Sequence, residues 1–74
     1  MGNELSEIQE VLLGGLQLLP MEKDNIIMVM LMLKSSEQQQ MAMCQWLEEK
    51  FKKEVMPTQE EVMDMAQYIM RNIK

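Results

Sequence analysis

The chain has no histidine and a single cysteine, Cys44, among its 74 residues. Without histidine there is no ordinary general base near neutral pH, and neither a Ser-His nor a Cys-His nucleophile pair can be assembled. One cysteine excludes a disulfide within the chain, and nothing else in the sequence supplies a structural zinc site. Basic charge is scarce as well. Seven Lys and Arg against twelve Asp and Glu leave a net charge of −5, which opposes binding to phosphate backbones, where affinity rests on Lys and Arg displacing counterions. The one basic cluster, Lys50, Lys52 and Lys53, reads as the last turn of a helix, where cations complement the macrodipole. No D-x-[DN]-x-[DN]-G calcium loop is present. Gly14-Gly15 lacks the further glycines, the lysine and the preceding strand of a phosphate-binding loop. No apolar run approaches the ~20 residues that a membrane span needs, and the opening residues show no basic stretch followed by an apolar one. These gaps argue against an enzyme, a bound metal or cofactor, a nucleic-acid partner and a membrane protein. The lone thiol suits a reduced, cytoplasmic setting.

What is present in abundance is methionine, eleven residues of it, within a chain that is 47% apolar. That composition predicts a folded core rather than a disordered acidic segment. A domain of this size buries only about 60% of the surface its unfolded chain exposes, so association is the natural source of extra stability. The densest apolar stretch is the octet Ile26–Leu33, which contains Met28, Met30 and Met32. Its methionines alternate with Val29, Leu31 and Leu33, so a strand has to be weighed. A strand needs neighbours for its ladder bonds, however, and no other segment reads as one. As a helix the octet is apolar on every side.

Four helical segments follow from periodicity and punctuation, about 4–18, 21–34, 37–53 and 59–72. In the first, Leu5, Ile8, Leu12, Gly15, Leu16 and Leu19 recur at spacings of three and four, with Asn3 or Ser6 as N-cap. Gly14-Gly15 is expected to end or kink this helix, at roughly 1 kcal/mol per glycine against alanine. Pro20 breaks the chain and can open the next helix in its first turn. Ser35-Ser36 with Gln38 or Gln39 forms a Ser-x-x-Gln capping box for the third helix. The core stripe of that helix is Cys44, Leu47, Phe51 and Val55, widened by Met43. Thr58 with Glu61 makes a second box for the fourth, whose stripe is Val62, Met65, Ala66, Ile69 and Ile73.

Several residue groups invite a chemical reading. The Met-x-Met pairs (28, 30 and 32; 41 and 43; 63 and 65) offer soft ligands for Cu(I), with Cys44 nearby. Residues two apart diverge by about 200° on a helix, though, and core packing is the simpler use of methionine. Cys44 on an apolar stripe is expected to be buried and inert. Glu60, Glu61 and Asp64 could gather carboxylates, but they also fit a solvated first turn at the positive end of the dipole. Met1-Gly2-Asn3-Glu4-Leu5-Ser6 satisfies the myristoylation pattern, although Glu4, Glu7 and Glu10 would repel an anionic leaflet. Thr58-Gln59-Glu60-Glu61-Val62 resembles the opening of a helix in helix-turn-helix DNA-binding domains. The likeness covers five residues and lacks a following turn and a basic recognition helix.

The expectation is therefore an all-α fold, a small four-helix bundle-like single domain with short connections and largely antiparallel neighbours, its second helix the most deeply buried. The expected function is a non-enzymatic protein–protein interaction or assembly module, homodimeric or bound to another protein. The candidate interface is Met28, Val29, Leu31, Met32 and Trp46. A small carrier enclosing an apolar ligand among its methionines is the alternative, and a helical transcription-regulator-like protein a weaker one.

Overall fold

The structure of the chain, a computed structural model, describes residues 6–73 and contains four α-helices among them. These are α1 (Glu7–Gln17), α2 (Lys23–Met32), α3 (Glu37–Lys52) and α4 (Gln59–Asn72). The expected caps Asn3 and the pattern around Gly2 lie outside the described residues.

Local chemistry explains where each helix starts. Ser6 Oγ accepts from the Gln9 amide at 3.2 Å while Gln9 Oε1 accepts from the Ser6 amide at 3.0 Å, a complete capping box for α1. Thr58 and Glu61 form the same reciprocal pair at 3.2 and 3.1 Å ahead of α4. The N–H and hydroxyl of Thr58 hold the Glu61 carboxyl below its ordinary range, because both hydrogen bonds favour the ionised form. In α3 the box is only half made. Ser36 Oγ accepts from the Gln39 amide, but the Gln39 side chain is employed elsewhere. Pro20 does not open α2 after all. Met21 closes a tight turn onto the Leu19 carbonyl, and the helix starts only after Glu22, whose amide donates to Gln59 Oε1 on α4 at 2.8 Å.

Gly14-Gly15 neither ends nor kinks α1, which runs on to Gln17. At Gly15 the reason is a close approach: a Cβ there would stand 3.3 Å from Leu47 Cδ1 and 3.9 Å from Phe51, both on α3. Gly14 faces open space. At the far end of α3 a Schellman turn closes the helix, with the Val55 amide on the Lys50 carbonyl and the Glu54 amide on the Phe51 carbonyl. Glu54 occupies the left-handed position at φ 58°, where glycine would be at ease. An L-residue there costs about 1–2 kcal/mol.

Four helix pairs touch: α1 with α2, α1 with α3, α2 with α4, and α3 with α4. Among the described residues α2 and α3 make no contact, so they stand at opposite corners of the square although only a few residues join them. The expectation of largely antiparallel neighbours holds only in part: the start of α3 meets the end of α4, as in an antiparallel pair, whereas α2 and α3 do not pack together. Cys44 lies against Ile8, while Leu47 and Phe51 flank Gly15, so α1 and α3 run side by side in the same direction. A short link limits how far apart two helix ends can be, not which face of the bundle the next helix joins.

The crossing is sealed by glutamine. Gln40 Nε2 donates to the carbonyls of Leu33 and Lys34 at 2.8 and 3.2 Å, capping the C-terminal end of α2 from within the core. Its neighbour Gln39 donates to the Ile73 carbonyl at 2.6 Å, tying the start of α3 to the end of α4. Both side chains are buried, and Gln40 Oε1 has no partner.

The core is made of Leu12, Leu16 and Leu19 from α1 and its C-terminal turn, Val29 and Leu33, Met43 and Leu47, and Val62, Ala66 and Ile69. Burying each of the larger of these side chains contributes roughly 1.5–3 kcal/mol. Of the stripe expected for the first segment Leu12, Leu16 and Leu19 are buried and Ile8 and Gly15 half-buried, with Leu5 outside the described residues; of the fourth, Val62, Ala66 and Ile69 are buried and Met65 and Ile73 half-buried. In α3 the buried set is shifted toward Gln39, Gln40 and Met43, leaving Cys44 and Phe51 half-buried and Val55 exposed. α2 departs furthest from expectation. It has the fewest buried residues of the four helices, with Val29 its one fully enclosed residue, and like each of the others it stands at a corner with two neighbours rather than at the centre.

Two outcomes test this account. Gln40→Ala strips a buried partner from two helix-end carbonyls and should cost about 1–3 kcal/mol, lowering Tm by several degrees in thermal unfolding. Gly14→Ala meets nothing and should stabilise by roughly 0.5–1 kcal/mol, visible as a higher denaturation midpoint in urea.

Candidate functional site: the outer face of α2

α2 carries apolar side chains on both of its long faces. Val29 and Leu33, four residues apart, point into the core with no exposed surface. On the opposite side Ile27, Met28 and Leu31 are 50, 48 and 63% exposed. At 3.6 residues per turn these three share one stripe; Asp24 and Lys23 stand three and four residues before Ile27, and Lys34 follows the C-cap Leu33, three residues after Leu31. Asp24 and Lys34 are both exposed. The result is a short apolar strip with Asp24 and Lys23 at its N-terminal end and Lys34 at its C-terminal end.

The residues singled out from the sequence are distributed unevenly over this geometry. Met28 and Leu31 lie in the strip, and Met32 is half-buried beside it. Val29 has to be withdrawn as an interface residue: its side chain is enclosed by its own chain and presents nothing to a partner. Ile27 belongs in the strip in its place. It could have been found from its four-residue spacing to Leu31, a cue masked by the uniform hydrophobicity of the octet. Trp46 is elsewhere. It sits on α3, diagonal to α2, in a shallow groove against α4 with Glu61, Asp64, Met65 and Tyr68. Lys50 Nζ lies 5.5 Å from the centre of its ring, within cation–π range. Trp46 and the α2 strip are therefore not one surface.

A second concave feature runs between α1 and α3. Val11, Gly15, Cys44, Leu47 and Phe51 line an open groove of about 480 Å³, which continues past Val11 and Cys44 toward Ile8 and Met41. It exists because Gly15 withholds a side chain at the point of closest approach. Its apolar wall is leucine, valine, isoleucine and phenylalanine, with methionine only at the Met41 end, and Glu7, Gln45, Glu48 and Lys52 line its rim.

The chemistry-bearing residues are dispersed. Within the methionine pairs, Met28 is exposed while Met30 and Met32 are half-buried, and Met41 is exposed while Met43 is fully buried. Glu61 is held by its cap, and among the described residues no three His, Cys, Asp or Glu side chains gather as a metal site. The solvent side of α4 carries Glu60, Glu61 and Asp64 before Arg71, a field that repels phosphate. Among the described residues no helix is long and apolar enough to cross a membrane.

Cys44 is half-buried with its Sγ 4.0 Å from the Ile8 carbonyl. Burial raises its pKa above the ordinary thiol value, because a thiolate would lose hydration. Alkylation by iodoacetamide at pH 8 should therefore run several-fold slower in the native chain than in urea. Equal rates in the two states would show the thiol to be free in solution.

No family model matches the chain, and no curated protein and no solved structure matches it either.

Proposed function

We propose that the protein is a non-enzymatic association module that docks through the outer face of α2. The observation that carries this reading is the exposed strip Ile27, Met28 and Leu31, which lies opposite a fully used core face of the same helix. Apolar residues scattered singly over a surface are ordinary. Three in register on one short helix are the pattern expected of a contact surface. Methionine suits such a surface, since its flexible thioether adapts to a facing side chain. Homodimerisation is the simplest form of the association. A reducing, cytoplasmic setting would keep Cys44 a free thiol. The residue inventory supports a non-enzymatic role, because with no histidine a base near neutral pH is missing.

The two faces of α2 make the reading testable without confusing binding with folding. Leu31→Glu places a charge in solvent and should leave the circular dichroism and Tm close to those of the wild type, while abolishing the association seen by sedimentation velocity. Val29→Glu buries an unpaired carboxylate and should unfold the chain. If Leu31→Glu and Ile27→Glu both fold and associate like the wild type, the strip is not a docking surface.

A further inference from the structure

Resting on that reading, we infer that the partner of the α2 strip is a second copy of this chain, laid antiparallel across a two-fold axis that passes close to position 29 of each helix. The ordering of residues along the strip points to this arrangement. Asp24 and Lys34 each stand five residues from position 29, on opposite sides of it, and Ile27 and Leu31 each stand two. Inverting one helix against another about that point therefore sets Asp24 of each copy opposite Lys34 of the other. It also sets Ile27 of each opposite Leu31 of the other. Met28 of each copy falls next to the axis and meets its counterpart. All five side chains are exposed in the isolated chain, so none has to leave the core to take part.

The alternatives fit worse. A parallel pairing would bring Asp24 onto Asp24 and Lys34 onto Lys34, two like-charge contacts at the ends of an apolar strip. Lys23, four residues before Ile27 and exposed, borders the strip on the side away from Asp24, so it offsets part of the charge that Asp24 presents to Lys34 and makes each end pair weaker. An isologous contact of this kind closes on itself and stops at two chains. The dimer should nevertheless be weak. Ten residues of helix span only about 15 Å, and the contact falls short of the ~800 Å² per partner of a standard interface. A concentration-dependent monomer–dimer equilibrium is the expected behaviour.

Charge reversal at the two ends tests both the partner and its direction. Sedimentation velocity at about 50 mM salt, where screening is modest, would compare the wild type, Asp24→Lys, Lys34→Asp, an equimolar mixture of those two, and the double variant. Each single variant faces like charges at both ends of the contact and should dimerise about tenfold more weakly. The mixture should recover as a heterodimer, and the double variant should recover on its own, since both restore two opposite-charge pairs. Single and double variants that all dimerise like the wild type, with a mixture that dimerises more tightly than any of them, would mean a parallel dimer and overturn the inference. Single variants that dimerise like the wild type, while Leu31→Glu does not, would overturn the register and leave the docking surface standing. A wild-type chain that stays monomeric at millimolar concentration would overturn self-association altogether. A dimer indifferent to Leu31→Glu would remove the docking surface and this inference together.

Discussion

Two adjacent glutamines, buried at the N-terminal end of α3, hold this bundle in its particular order. Every helix ends with carbonyls that lack partners within the helix, and enclosing them unpaired is costly. Gln40 serves the end of α2 and Gln39 the end of α4, so one turn of α3 terminates two other helices. Because those bonds are made inside the protein, α3 has to begin where both ends meet. That constraint fits the diagonal step from α2 to α3, which a short link alone would not select. The partnerless Gln40 Oε1 shows that the arrangement is not free of cost. The amide is retained where its two donors are both used.

The same order sets the surface. With α2 at a corner, supported by α1 and α4 only, its apolar circumference cannot be closed by its own chain. Val29 and Leu33 are spent on the core, and Ile27, Met28 and Leu31 are left over. On the other side of the molecule, Gly15 lets α1 settle close to α3 and leaves the shallow groove around Cys44 and Phe51. The candidate site thus arises because a helix apolar on every side stands at a corner, where two neighbours cover only its inward face.

Much of the fold was legible in the residue pattern, for local reasons. Thr58 and Glu61 mark the start of α4 because a capping box is a four-residue interaction that needs nothing from the rest of the chain. The stripes of α1 and α4 were legible because polar residues interrupt the apolar ones at helical period, which leaves one choice of inward face. The octet offered no such contrast. Uniform hydrophobicity says that a segment is buried or partnered without saying which side is which, so Val29 could not be separated from Ile27. Gln38-Gln39-Gln40 gave no signal either. Glutamine reads as solvent-facing, and only the arrival of two helix ends converts it into an internal cap.

By itself, then, the sequence determined the helical class, the positions of most helix ends, the absence of histidine-based chemistry, and a surplus of apolar surface around Ile26–Leu33. These depend on interactions among residues close in the chain or on composition alone. Tertiary structure decided which helices are neighbours, that α1 runs through Gly14-Gly15, that Gln39 and Gln40 are internal, and that α2 has the fewest buried residues rather than the most. Each of those depends on contacts between residues remote in sequence, whose geometry is set by how four short helices share the space of one small core.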